Sequence, residues 1–422
     1  MGKGMECFVT KYDVGSSAGG ERVVLEDSIM RKGSLAMAGS KIMEGFVSPL
    51  DATVVTRLET AGINIVGKAT MDEFGASGLF IGQGAQSQGA ESQETESQGA
   101  ESQGERQGSG AVAAVAGGLA DFALCNDYTG AVGVEAAAKG LCYIHPTYGT
   151  VSRYGLIPSV PSMDQIGVLC KAPAEGARLL LAIAGHDPKD GAMFPAPNAE
   201  GGGPGDGRGE GPEHVPTAAG AARSGGSGCP RPKLRIGLPV NVIARSPDAA
   251  AIMGFVNGFE TTEFELKYAE AFAPVMQILC CAELCNSINR YDGIKFGYRA
   301  KGYNGLHELY TMSRTEAFGP DAKLAAIVGS MVLSQDKYMR YYDKAMRVRR
   351  LIKESLNFGR YDAIIMPADA GSESSRFLQA LPRLCGLPAV TFAAGGCAMT
   401  LIADSRREDM LIKGLTQCNT KQ

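Results

Sequence analysis

Short runs rich in β-branched residues recur along this chain, separated by stretches whose apolar residues fall at helical spacing. Arg22 to Leu25 and the run GINIVG at 62–67 read as strands, with a helix between them over Ala52 to Thr60. Leu234 to Leu238, Tyr361 to Met366 and Leu387 to Ala393 read as further strands, and Ala249 to Phe259 and Tyr268 to Ile288 as helices. Alternation of this kind predicts an α/β fold with a mixed central β-sheet flanked by helices, in a single domain spanning 1–422.

The pattern changes character between Ser109 and Cys170. Alanine and glycine dominate Ala111 to Ala120, which predicts a helix able to press closely on a sheet, and Asp127 to Gly130 then supplies a polar turn. A small-residue helix followed by a polar loop is the form of a buried active-site element. The rest of the chain is organised around it.

Two segments interrupt the alternation. From Ser87 a pentapeptide repeat, SQGAE, SQETE, SQGAE, SQGER, runs to Arg106 with no aliphatic side chain larger than alanine. It cannot bury enough surface to offset its ordering entropy, so a disordered loop is expected over 85–108. The Gly/Pro/Ala-rich stretch 195–228 is expected to be a second one. Its GxGxxG-like runs follow no strand and open no helix, which argues against nucleotide binding. Lys337 to Leu356, KYMRYYDKAMRVRRLIKESL, predicts a basic amphipathic helix whose charges read as a solvated face, with RNA or a partner protein as the alternative.

Charge and cysteine content narrow the setting. With 41 basic and 45 acidic residues the net charge is −4, so no global field gathers nucleic acid and no DNA binding is expected. Eleven cysteines without paired spacing suit a reducing compartment. Cys280, Cys281 and Cys285 cluster, but no CxxC pair or nearby histidine accompanies them, so they read as core residues and no metal site is expected. No apolar run reaches the length of a membrane span, the N-terminus has no signal-peptide core, and Glu6 spoils a myristoylation pattern at Met1-Gly2. A soluble cytoplasmic protein without membrane contact is expected.

Four blocks carry a resemblance. They are Ser40-Lys41-Ile42-Met43 through Pro49-Leu50-Asp51-Ala52-Thr53-Val54-Val55; Gly67-Lys68-Ala69-Thr70-Met71-Asp72-Glu73-Phe74; Pro146-Thr147-Tyr148-Gly149 running on to Val151-Ser152-Arg153-Tyr154-Gly155-Leu156; and Ser162-Met163-Asp164-Gln165-Ile166-Gly167. Together they resemble the amidase signature family, in particular its branch formed by the A-type subunits of glutamyl-tRNA(Gln)/aspartyl-tRNA(Asn) amidotransferases. The resemblance implies an amidase signature fold, a glutaminase role in protein biosynthesis, and B- and C-type subunits as partners with tRNA met indirectly. It implies no cofactor in this chain, ATP and Mg belonging to a partner subunit. Family members usually carry a longer helical N-terminal part, so an uncovered sheet edge is expected here.

The family's chemistry rests on a serine nucleophile, a serine that relays the proton and a buried lysine that accepts it. A serine hydroxyl is a poor nucleophile until an adjacent base takes its proton, and a desolvated lysine can be that base. On the resemblance the lysine position holds Glu26, the relay serine falls on Gln107, and the nucleophile position in the loop Asp127-Tyr128-Thr129-Gly130-Ala131 holds Ala131. Tyr128, Thr129 and Gly130 are what is left of the oxyanion loop, whose backbone N–H groups would steady a tetrahedral intermediate. An alanine methyl cannot be acylated, so a catalytically impaired homologue or scaffold is expected. The alternative is an active enzyme with a displaced nucleophile or base, for which Ser109, Thr129 and Lys139 are the candidates.

The glutamine-binding positions implied by the resemblance also change. The arginine of the family falls on Leu324 or Ala325 and the aspartate on Arg376, which removes the charge partners a buried zwitterion requires. His145 and His186 match no catalytic role. Tyr148, Ser152, Arg153 and Tyr154 read as braces beneath the loop, and Asp127 as a residue that fixes it by accepting backbone N–H bonds.

Overall fold

The computed structural model describes residues 7–13, 20–80, 108–195, 234–368 and 377–419. Eleven strands are described: β1 (Phe8–Lys11), β2 (Arg22–Glu26), β3 (Asn64–Ala69), β4 (Phe122–Asn126), β5 (Cys142–His145), β6 (Ile166–Cys170), β7 (Arg235–Pro239), β8 (Glu260–Phe264), β9 (Ala363–Pro367), β10 (Ala389–Ala394) and β11 (Cys397–Ala403). They form one mixed sheet in the order β1-β3-β2-β4-β6-β5-β10-β11-β9-β7-β8. Ten helices of the described residues are α1 (Thr53–Thr60), α2 (Gly110–Ala116), α3 (Ala131–Ala138), α4 (Pro173–Ile183), α5 (Val240–Ile243), α6 (Ala249–Val256), α7 (Phe272–Ile288), α8 (Leu306–Ala317), α9 (Pro320–Leu333) and α10 (Lys344–Glu354), with α9 and α10 packed on α7. Two more follow, Ala380–Cys385 and Glu408–Asn419.

Strand β4 shows why the sheet is buried on both faces. Phe122 and Leu124 pack with Val54 and Leu58 of α1 and Leu179 and Ile183 of α4, while Ala123 and Cys125, pointing the other way, pack with Ala111, Val112 and Ala114 of α2 and Ala136 of α3. The second face is made of small residues, so α2 and α3 lie close to the strands. A Cβ added at Gly133 would come within 3.3 Å of Thr391 Oγ1, and one at Gly110 would collide with Cys7 O and Thr70.

Strand β2 runs parallel to both β3 and β4. Their C-terminal ends, Glu26, Ala69 and Asn126, therefore emerge at one edge of the sheet, where connecting loops gather functional groups. The outer edge next to β3 is not bare: residues 8–11 pair with it antiparallel as β1, so the uncovered edge expected from the sequence is occupied there.

Several expectations shift. The helix expected over Ala111 to Ala120 stops at Ala116, because Gly117 and Gly118 follow and Gly118 adopts φ 70°. The helix expected over Lys337 to Leu356 is a π turn, Met339–Asp343, continuing into α10. Its basic face is satisfied in part within itself, by Arg347 with Asp343 and Arg350 with Glu354. The absence of a span-length apolar run needs correction, since Ala269–Ile288 is long and apolar enough to cross a membrane. It is a core helix: Leu279, Cys280, Leu284 and Ile288 are buried, and Gly329 of α9 lies against Cys281 and Cys285. The segments expected to be disordered, 85–108 and 195–228, lie outside the described residues apart from Gly108 and Pro195.

Candidate active site

The loop between β4 and α3 is held by one carboxylate. Asp127 Oδ1 accepts N–H bonds from Gly130 at 2.8 Å and Val132 at 3.3 Å, and Oδ2 accepts one from Gly133 at 3.0 Å. These bonds satisfy the first amides of α3 and place a negative charge at its positive end. Gly130 sits at φ 92°, a conformation that any side chain would strain, and a Cβ there would lie 2.5 Å from Gln379 Cβ.

Arg383 anchors the same loop from behind. Its side chain is fully buried, donating from Nε to the Asp127 carbonyl and from Nη2 to Asp127 Oδ2, both at 2.9 Å, and from Nη1 to the Gln379 carbonyl at 2.9 Å. Helix Ala380–Cys385 and the loop are therefore bolted together. Tyr128 turns inward, donating its hydroxyl to the Phe74 carbonyl at 2.9 Å. Tyr128→Phe is expected to cost about 1–2 kcal/mol, since it leaves that buried carbonyl without its partner; a thermal unfolding scan at fixed pH reads the difference.

Glu26 ends β2 beside this loop and is buried. Its Oε1 accepts bonds from Ser28 Oγ at 2.5 Å and from the Asn126 amide at 3.3 Å. Burial pushes its carboxyl up to about 8, against the pull of those two bonds, and the carboxylates of Asp72 and Asp127 add to the rise. Glu26 is thus mostly protonated at neutral pH and does not offer the basic nitrogen of a lysine. Burial also raises Asp72 and Glu135, which adds further acid groups around the loop.

The other expected positions sort as follows. Ala131 is the first residue of α3 and is exposed, so its methyl group faces outward at the end of the loop. Thr129 lies within the loop, and its Oγ1 accepts the Ala131 N–H at 3.3 Å. Ser109 is instead the N-cap of α2, its hydroxyl accepting from the Val112 amide, and Lys139 closes α3 at the end away from Ala131, about 12 Å along the helix. Ala325 is buried in the core on α9 and Leu324 is partly buried beside it, so neither presents a charge. Gln107 and Arg376 lie outside the described residues.

The residues expected as braces, Tyr148, Ser152, Arg153 and Tyr154, bond to Asp187, Asp190, the Pro161 carbonyl and one another rather than to the loop, and the link between β4 and the segment after them runs through Asn126. Asn126 Nδ2 donates to Asp164 Oδ1 at 2.9 Å, and Asp164 also accepts from the Ser159 and Val160 amides. Arg153 grips Asp190 through Nε and Nη2 and reaches the Tyr148 hydroxyl, while Ser152 donates to Asp187 at 2.6 Å. A cavity of about 200 Å³ opens beside Arg153, Tyr154, Lys189 and Asp190, and Ala131 is not part of its lining. Tyr154 is covered there by the Lys189 ammonium. His145 is buried and held neutral, its ring pushed well down by burial, and exposed His186 contacts the Phe194 carbonyl.

Two residues of the site escaped the sequence reading. Arg383 is a lone arginine in the apolar run Leu381-Pro382-Arg383-Leu384, an oddity that signals a buried charge, but its partner lies 256 residues away. Glu135 accepts the Ser109 amide at 2.9 Å and so caps α2 from α3. Glu135→Ala is expected to lower stability by about 1 kcal/mol, read as a shift in the urea midpoint, because it removes an anion from a helix N-terminus.

Among the described residues no group of three or more His, Cys, Asp or Glu side chains is arranged to hold a metal ion. Comparison with known proteins gives a consistent picture. The family model described as Amidase matches residues 20–375. Over 354 residues the chain is 34% identical to the A-type subunit of the glutamyl-tRNA(Gln) amidotransferase of Lachnoclostridium phytofermentans, covering 83% of this chain and 68% of that one. Over 353 residues it is 35% identical to the corresponding protein of Symbiobacterium thermophilum, covering 82% and 68%. Among solved structures, the A-type subunit of the glutamyl-tRNA(Gln) amidotransferase of Thermotoga maritima shares the fold, with a TM-score of 0.65, 20% identity, and coverage of 99% of this chain and 88% of that one.

Proposed function

The chain belongs to the amidase family, and we propose that within it this is a hydrolytically impaired homologue of the A-type amidotransferase subunit, retained as a scaffold for B- and C-type partner subunits. The observation that carries the reading is Ala131, a methyl group at the first residue of α3 where the family's nucleophile is implied. Support comes from Glu26, a carboxyl raised by burial and lying where the family's basic lysine is implied. With Gln107 at the relay position, none of the three roles is filled, and losing a coupled triad leaves at best a residual rate of roughly 10³-fold over water. ATP and Mg, and the contact with tRNA, belong on this reading to the partners.

The test is ammonia release from glutamine by the purified chain, alone and mixed with B- and C-type subunits. The expected result is release no faster than from an unrelated protein, with the subunits co-eluting on a sizing column. Release well above that control would overturn the impaired reading and direct attention to Thr129, the hydroxyl nearest Ala131 in the loop. Absence of both release and co-elution would overturn the scaffold role.

A further inference from the structure

We propose that Cys142 and Cys170 form a modification site, a dithiol that a small disulfide such as glutathione disulfide converts into an intramolecular cross-strand disulfide. Strand β5 runs antiparallel to β6 with Cys142 directly opposite Cys170. Residues so paired share a sheet face with Cα atoms about 4.5 or 5.5 Å apart, and both separations fall within the roughly 4.4–6.8 Å that a disulfide spans. The contacts agree with that placement. Both residues belong to one buried apolar cluster, Cys170 Sγ lies 3.6 Å from the Cys142 carbonyl, and Cys142 Sγ lies 3.9 Å from the Lys171 carbonyl. Gly176 of α4 sits over the Cys170 sulfur and, lacking a Cβ, leaves it room.

The two thiols are not equivalent. Cys142 opens β5 and keeps 8% of its surface, whereas Cys170 keeps none. Attack therefore starts at Cys142: its thiolate takes one sulfur of glutathione disulfide and expels one glutathione thiolate, leaving a mixed disulfide. The Cys170 thiolate then attacks the Cys142 sulfur and expels the second glutathione. Two protein thiols are oxidised, one disulfide is reduced to two thiols, and the two protons pass to the departing glutathiones. Burial pushes the Cys142 thiol up to about 11 and, with Glu175 nearby, raises Cys170 as well, so the exchange is slow at neutral pH. The bond would tie the start of β5 to the end of β6, closing the segment that carries Asp164 and its grip on Asn126.

The folded full-length chain is incubated with glutathione disulfide, then unfolded in N-ethylmaleimide and mapped by mass spectrometry. Two fewer of the eleven cysteines should be alkylated than in a reduced control, and one peptide pair should join Cys142 to Cys170. Cys142→Ser and Cys170→Ser should each abolish that cross-link; should either fail to fold, the wild-type peptide map decides alone. Alkylation of all eleven thiols, glutathione retained at Cys142, or a cross-link among Cys280, Cys281 and Cys285 instead would overturn the proposal.

Discussion

Arg383→Met is expected to remove about 3–5 kcal/mol of folding stability, seen as a lowered urea midpoint at unchanged slope. Methionine nearly fills the space of the arginine stem but supplies no donor. Asp127 would keep its three amide bonds from α3 while losing the buried guanidinium that faces it. The Asp127 and Gln379 carbonyls would lose their partners at the same time. Arg383→Lys should recover only part of the loss, because an ammonium cannot serve the carboxylate and both carbonyls from one plane. Asp127→Asn combined with Arg383→Met should cost less than the sum of the two single changes, since they share one interaction. A loss below about 1 kcal/mol for Arg383→Met would mean that the helix amides alone neutralise Asp127.

Glu26→Gln is expected to stabilise the protein at neutral pH, and the sign follows from proton linkage. The folded carboxyl holds its proton up to about 8, whereas an unfolded glutamate releases it near 4.5. Between these values the unfolded state is deprotonated and favoured, so stability falls as pH rises and levels off above 8. At pH 7 the contribution amounts to roughly 3 kcal/mol. Glutamine keeps an oxygen to accept from Ser28 and Asn126 without carrying a charge. The variant should match the wild type near pH 4.5 and exceed it increasingly toward pH 8, as read from urea unfolding at several pH values. A gain independent of pH would show that Glu26 does not titrate in this window.

The sequence was most readable where the backbone preference and the burial pattern agree. The pairs of valine and isoleucine in β2, β3 and β9 announce strands. Strand β4, FALCN, does not, because alanine, cysteine and asparagine have weak strand preference and its place between β2 and β6 is decided by neighbours distant in sequence. Helix α3 was hidden for a related reason: it begins directly after what reads as a polar turn, with Gly130 as its cap and Gly133 in its first turn. Edge strand β8, ETTEF, buries little and gives little signal.

Within the site, Glu26 and the loop from Asp127 to Ala131 were singled out by the resemblance to the amidase signature family, and the structure sets them side by side. What local pattern left unread was the long-range pairing: Arg383 with Asp127, Glu135 with Ser109, and Asn126 with Asp164. These are contacts between loops and helix ends set by the topology of the sheet. The resulting frame is well satisfied, with the loop held on both sides and its first helical residue left as alanine.

The measurement that bears most directly on that frame is covalent trapping by a serine-directed sulfonyl fluoride, followed by intact mass and peptide mapping of the unmodified chain and of the Glu26→Lys, Gln107→Ser, Ala131→Ser variant. No adduct in the 126–135 segment of the unmodified chain, and an adduct at position 131 of the variant, are the expected results. An adduct on Thr129 or any other residue of that segment in the unmodified chain would contradict the proposal that the nucleophile position is vacant.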